Sequence, residues 1–442
     1  MRTVYIFTII IPVCFLLYAC GEWMGEPEDP PLPGNRISVL LQSSVIQPDP
    51  TVSDLPIRLP KPYINKEWPQ TGGYPDRAMH HLFASNNPSI FWNTKFGSPS
   101  DTKTQILSTP VVAGEKIFAT DSKGLIYSFS TDSGVLLWSY NPKPEYEDKE
   151  SGFGGGLAYS RGRIFASTGF GEILALNAKT GQIIWRFNTG IPFRTAPVVA
   201  DKKVFAISLD NQIWALDGRS GKKLWSHAGI SEPAGLLGGA SPAIAGDIVL
   251  VPYSSGEITA LSIKNGRIIW SDALGNQNQL TSSISTFNDI NGSPIIDRGL
   301  AFIISHGSHL VAIDLRSGSR VWEHDLAGVN TPWVAGDFLY VVTLEGEVVC
   351  LVRKTGKIRW VKSLPRHADP ERKEESIKWS GPILINDRLL LTSSAGVAVV
   401  ISPYDGRYLG RVVVPDAISL PPIVADETIF VLTDQAKIYA LR

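Results

Sequence analysis

Cysteine is nearly absent from this chain of 442 residues, which holds three: Cys14, Cys20 and Cys350. Two of them fall in the first twenty positions, so the body keeps one thiol and an internal disulfide framework is excluded. No Cys-x-x-Cys-His sequence occurs, which removes a c-type haem, and no two cysteines adjoin. Cys350 stands in the apolar run Val348-Val349-Cys350-Leu351, the pattern of a buried strand rather than of a reactive thiol. An excess of one charge is also missing. The 41 basic and 42 acidic side chains leave a net charge of −1, whereas a nucleic-acid binder carries a basic excess or stripe. Metal-ligand clusters are lacking too. His306 and His309 lie in a strand–turn context without nearby acids or cysteines, and His80-His81 stand equally alone, so no metal site is expected.

What is present begins with an address. Arg2 precedes an apolar stretch over residues 4–18 that is too short for a membrane span and contains Pro12. It ends in Leu17-Tyr18-Ala19-Cys20, which resembles the lipobox of bacterial lipoproteins. That resemblance implies removal of residues 1–19 and lipidation of Cys20. Gly21, where an Asp would retain the protein in the inner membrane, implies the periplasmic face of the outer membrane. Residues 20–75 hold eleven prolines, Pro27, Pro30, Pro31 and Pro33 among them. Proline removes backbone donors and disfavours helix and sheet, so this stretch is expected to be an extended tether ahead of one domain at 76–442.

From Ser108 onward one pattern recurs: small-Pro-apolar-apolar, a turn, an alternating strand, a Gly turn, a strand ending in Ala-Leu, then Gly-x-x-x-Trp. The pairs are Gly134/Trp138, Gly181/Trp185, Gly221/Trp225, Gly266/Trp270, Gly318/Trp322 and Gly356/Trp360, with Trp-to-Trp intervals of 38–52 residues. Units of that length with about four strands are propeller blades. The glycine supplies the positive φ of a tight turn. The indole is expected to wedge between blades over the small surfaces of Ala175, Ala215, Ala260 and Ala312. A further copy is degenerate, with Gly410 where tryptophan is expected. The last repeat, 420–442, stops before its tryptophan. Ser89-Ile90-Phe91-Trp92-Asn93 supplies the missing strand, so the reading is an all-β, eight-bladed β-propeller closed by an N-terminal strand.

The phrase Ala-Leu-(Asp/Asn)-x-x-(Ser/Thr)-Gly-x-x-x-Trp, as in Ala215-Leu216-Asp217 to Trp225, is similar to the tryptophan-docking repeat of PQQ-like propellers. Quinoprotein dehydrogenases and the BamB family of outer-membrane assembly lipoproteins share it. The lipobox, the eight blades and the closure near Trp92 resemble BamB, and Trp68-Pro69-Gln70-x-Gly72-Gly73 resembles the lead-in of its alphaproteobacterial members. The resemblance implies a non-catalytic scaffold without cofactor. It would dock on the periplasmic POTRA domains of BamA within the BAM complex, near unfolded outer-membrane proteins, with no nucleic acid involved.

Two loops carry the partner-binding expectation. The first, 229–239, presents Leu236 and Leu237 among glycines. The second ends Phe287-Asn288-Asp289-Ile290-Asn291. In the BamB family these loops hold an apolar and basic pair, then two acids. Leu236 and Leu237 match the first loop, with Leu in place of the base; Asp289 matches the first acid and Asn291 replaces the second. The tryptophans Trp92, Trp138, Trp185, Trp225, Trp270, Trp322 and Trp360 are assigned to structural docking. The charged insertions 145–150 and 366–375 read as solvated surface. A PQQ-dependent periplasmic dehydrogenase and another envelope-binding propeller are the alternatives.

Overall fold

The computed structural model describes residues 46–145, 153–231, 238–274, 289–307, 309–369 and 372–442. Eight four-stranded antiparallel sheets follow one another around a propeller ring. Blades 1 to 7 span 111–140, 155–188, 198–228, 243–273, 295–324, 333–363 and 379–413. In each, the chain steps outward from strand A at the axis, through B and C, to D at the rim. Blade 8 takes strands A to C from Ile423–Ala425, Thr428–Leu432 and Lys437–Leu441, and its D strand from Ile90–Lys95. Trp92 faces Ala440 and Lys95 faces Lys437 across that pairing, so the N-terminal strand closes the ring as expected. The insertion at 366–375 adds a small hairpin, His367–Asp369 with Glu374–Ser376.

The rim is held by one contact repeated seven times. Within a blade, the D-strand tryptophan faces a small residue on strand C, which in turn faces a large one on strand B. The rows read Phe205–Ala215–Trp225, Phe302–Ala312–Trp322 and Tyr340–Cys350–Trp360. The small residue leaves a trough in which the two rings approach to 5.7–6.0 Å between centroids. The indole then lies on a glycine in the C–D turn of the next blade. Trp92 covers Gly134, Trp138 covers Gly181, and the series continues to Trp360 on Gly406. A Cβ on any of these glycines would sit 2.6–2.8 Å from the indole. Each also has φ between 67° and 75°, a backbone that glycine alone adopts without strain. The indole N–H donates to the same turn, from Trp92 to Thr131 O at 2.7 Å and from Trp270 to Leu315 O at 2.8 Å. That turn residue in turn donates its own N–H to the A–B turn of its blade, as Leu315 does to Gly299 O at 2.9 Å.

The exception explains the degenerate repeat. Gly410 of blade 7 would need a glycine turn in blade 8, but blade 8 has no C–D turn because its D strand comes from the other end of the chain. With neither glycine nor turn carbonyl to receive it, an indole at 410 has no dock. The facing residue changes accordingly: Val400 stands where the other blades carry Ala, Ser or Cys.

The small-Pro start of each repeat forms a second belt near the axis. Ser241 Oγ donates to Ala196 O and Ser380 Oγ to Ser419 O, both at 2.8 Å, and Ser167 Oγ on strand B of blade 2 donates to Thr195 O at 2.6 Å. The N–H groups of Ser241 and Ser293 donate to the hydroxyls of Ser293 and Thr331, both at 3.1 Å. Each bond joins one blade to the next, so small hydroxyl residues recur there.

The lead-in differs from an extended tether over its described part. Asp49 N donates to Ile358 O at 2.8 Å and Arg359 Nε to Leu55 O at 3.0 Å, which fixes residues 49–55 on the D strand of blade 6. Residues 63–86 then cross the axis and touch all eight blades. The last-but-one residue of a short A strand turns its N–H and C=O toward the axis, where no further strand exists to pair with them. The lead-in meets these groups in turn. Trp68 exchanges two backbone bonds with Val112 (2.7 and 2.9 Å) and Pro69 O accepts from Tyr159 N. The Gln70 amide brackets Val199 N and O (2.8 and 3.2 Å). Pro75 O and Asp76 O accept from Ile244 N and Ile296 N, both at 2.9 Å. His80 O accepts from the Trp333 indole, Leu82 N donates to Leu384 O, and Asn65 Nδ2 donates to Val424 O. Residues 63–86 are therefore a plug that serves the inner edges of the sheets. Proline suits it, since a segment that meets each blade at a single residue needs no regular ladder.

Two outcomes follow for stability. In blade 5, Gly299 and Gly318 have similar φ values, 80° and 75°, but only Gly318 lies under an indole. In chemical denaturation Gly299→Ala should cost about 1–2 kcal/mol of backbone strain, and Gly318→Ala about 3–4 kcal/mol, because overpacking adds to it. Equal costs would mean that the indole contact does not hold the seam. Truncation separates the two parts of the lead-in. A chain beginning at residue 58 should still give a folded ring by circular dichroism, whereas one beginning at residue 87 should fail to accumulate as soluble monomer.

Candidate docking face and axial plug

The ring has two unlike ends. The A–B and C–D turns share one end with the plug. The opposite end carries the B–C turns and the interblade connections, joined by bonds such as Leu209 N to Pro192 O and Gly229 N to Asn211 O, both at 2.8 Å. Both candidate partner loops belong to this loop face.

The first loop leaves blade 3 over a buried ring: Gly229 packs on Tyr253 so closely that a Cβ would lie 2.8 Å from it. Asn211 pins the strand end, donating to Ile230 O at 2.6 Å and bonding Ser254 of blade 4. Ile230 then projects at 62% exposure, beside the B–C turn in which Leu209 is 51% exposed. Leu236 and Leu237 lie outside the described residues. Leu209 and Ile230 are the apolar surface that sequence reasoning missed. The signal was Leu209 itself, an aliphatic residue in a turn where most blades place Ser, Asp or Gly; Leu344 of blade 6, 43% exposed, is the other.

The second loop differs from the expectation of two outward polar groups. Asp289 is 3% exposed, and its carbonyl accepts from His306 N at 2.9 Å. Asn291 is half-buried, and its side-chain oxygen is buried without a hydrogen-bond partner. An acid in a polar loop is ordinarily solvated, which is why the sequence suggested exposure; here the blade 5 B–C turn covers it. These two residues shape the loop base rather than present charge.

On the plug face, electrostatics gather between blades 5 and 6. Buried Asp297 pairs with buried Arg353 at 3.3 Å and with Arg298 at 3.9 Å, and His80 of the plug stands 3.6 Å from it. Burial lowers the His80 pKa below the usual imidazole value; Asp297 opposes that shift, and Arg298 and Arg353 reinforce it. His81 is committed elsewhere. Its Nε2 accepts from Asp387 N (2.9 Å), which leaves Nδ1 to donate to Pro60 O (2.7 Å). Arg77, in the same plug, is 2% exposed, and burial pulls its pKa down to about 9, so it stays cationic at neutral pH. Among the described residues no three His, Cys, Asp or Glu side chains stand together as metal ligands, so His306/His309 and His80/His81 do not form a donor set. Burial pushes the Cys350 thiol well above its ordinary range. No described helix is long and apolar enough to cross a membrane; Cys20 lies outside the described residues.

Against this geometry the comparisons are specific. Residues 143–362 match the family model described as outer membrane protein assembly factor BamB. Outer membrane protein assembly factor BamB of Yersinia pestis is 25% identical over 360 residues, 80% of this chain and 88% of that protein. The crystal structure of BamB from Moraxella catarrhalis superposes with TM-score 0.68 at 19% identity, covering 80% of this chain and 99% of that one. Quinohemoprotein alcohol dehydrogenase from Comamonas testosteroni also superposes, at TM-score 0.65 and 12% identity over 85% of this chain and 80% of that one, a likeness of fold alone. Eight blades, seven of them carrying a docked tryptophan, closure by an N-terminal strand and the sequence match together make this chain similar to BamB proteins in both sequence and fold.

Proposed function

We propose that this chain is a non-catalytic scaffold of outer-membrane β-barrel assembly. It is anchored by lipid on Cys20 at the periplasmic face of the outer membrane and docks through its loop face on the POTRA domains of a BamA-type partner. The observation that carries the reading is the sequence match to BamB proteins over four-fifths of the chain. The exposed pair Leu209 and Ile230 supports the placement of the docking surface. They lie side by side on the loop face at blade 3, and Ile230 leads in sequence into the loop that holds Leu236 and Leu237. Clustered exposed aliphatics rimmed by polar turns are the usual core of a protein interface. Asp289 and Asn291 follow the second loop in sequence and are proposed to contribute through their place at its described end. Client barrel strands would be held near the ring by the partner rather than by a chemical step.

A quinone-dependent dehydrogenase would need a metal donor set, an acidic base and a floor for the cofactor, and most such enzymes add a disulfide between adjacent cysteines. The described residues supply no such cluster.

The test is a crosslinked pull-down of the lipidated protein from envelopes, comparing wild type with Leu209→Asp/Ile230→Asp and with Leu236→Asp/Leu237→Asp. A BamA-like barrel should come down with wild type and fall at least tenfold in both variants, the loss expected when charges enter an apolar interface core. Recovery equal to wild type in both variants would move the docking surface elsewhere. Failure to recover any barrel component would refute the scaffold role, and an absorbance change on titration with PQQ and Ca²⁺ would then favour the enzyme.

A further inference from the structure

Among the described residues two arginines are buried at the plug end of the ring, and only one is held in an ion pair. Arg353 is 2% exposed and pairs with Asp297 at 3.3 Å. Arg77 is equally buried; the charge of neighbouring Asp76 favours the cation from beyond contact, but no carboxylate of the described residues lies within ion-pair distance, and its one side-chain hydrogen bond runs from Nη1 to Pro294 O at 3.3 Å. Its Nε and Nη2 have no partner. These two N–H groups share one edge of the guanidinium, the edge that grips an oxyanion with two parallel bonds. A buried cation left in this state costs several kcal/mol.

The position is also built rather than incidental. Arg77 has φ 62°, an unfavourable region for a side chain of its size, and Asp76 and Ala78 on either side are held by the backbone bond to Ile296 and by the Asp76 turn. Gly72, at φ 79°, makes room for the side chain: a Cβ there would lie 2.8 Å from Arg77 Cγ and Cδ. Both unpartnered atoms of Arg77 can only donate. A water molecule can accept such bonds but does not balance the charge; an anion does both.

We propose that the axial plug binds a small oxyanion, of the carboxylate or phosphate class, on the Nε–Nη2 edge of Arg77. The site is separate from the loop face and does not rest on the assembly role. The anion completes the plug by pairing the guanidinium whose Nη1 already holds the lead-in to the start of blade 5.

The mature full-length protein is unfolded in denaturant and refolded in chloride alone, which strips any anion carried through purification. Its unfolding midpoint is then compared in chloride, phosphate and acetate at one ionic strength. Wild type should melt higher in phosphate, in acetate or in both, with a rise of roughly 2 °C per tenfold in anion once the site saturates. A response to phosphate alone identifies a tetrahedral anion, and one to acetate alone a carboxylate. Arg77→Met should melt at one temperature in all three. Arg77→Lys, which keeps the charge but not the fork, should keep less than half of the response and serves if the Met variant does not refold. Equal midpoints for wild type in the three salts, or the same anion response in wild type and variants, would overturn the proposal. So would a crystal grown in the effective anion whose density at that edge is water alone.

Discussion

An indole laid against a residue without a side chain sets the distance and the angle between neighbouring blades. The ring carbon-to-glycine contact leaves no room for a Cβ, and the indole N–H reaches the carbonyl of the same turn. That turn peptide is held at its N–H by its own blade and at its C=O by the previous one. Much else in the sequence follows from this arrangement. The small residue on strand C exists to give the indole depth, and Cys350 is one instance of it. Its sulfur fills a trough between Tyr340 and Trp360, and burial suppresses its ionisation. Val400 is the counter-instance, a larger side chain where no indole presses.

Much of this was legible in the residues themselves because it repeats. Glycine and tryptophan at a spacing of four, recurring every 38–52 residues, define strands, turns and blade number without any single copy being decisive. The degenerate copy at Gly410 was visible as an anomaly, but its cause lies in the closure, which removes the turn from blade 8. The lead-in was the least legible part. Helix and strand are found by period, and residues 63–86 have none, since each makes its bond to a different blade. Its prolines read as a tether, whereas over residues 63–75 they belong to a packed segment. Sites were legible in proportion to their solvation. Loop leucines stand out among glycines, but Asp289 looks the same in sequence whether it faces water or lies beneath a turn, and here it lies beneath one.

The same ring occurs in proteins with different work because the rim chemistry is indifferent to what lies at the axis. The quinohemoprotein dehydrogenase and the BamB structure both superpose on this chain over most of its length. In this chain the crossing element is its own N-terminal segment, which satisfies the inner strand edges, sends Arg77 into the interior and brings His80 to the Asp297–Arg353 pair. One stretch of about two dozen residues thus decides the polarity of the axis for the whole ring.

The blade that is first in the chain is also the last. Ile90–Lys95 is synthesised more than three hundred residues before its partner strand Lys437–Leu441, and until that strand follows, Trp92 has no Ala440 to face and the ring has an open gap. Blades 1 to 7 can each form as hairpins emerge, but the circle cannot close while the C-terminus is still on a ribosome or inside a translocation pore. A chain that crosses a membrane N-terminus first therefore stays open, and threadable, until its final residues arrive on the same side as its first strand. Completion of transport and completion of the fold become the same event.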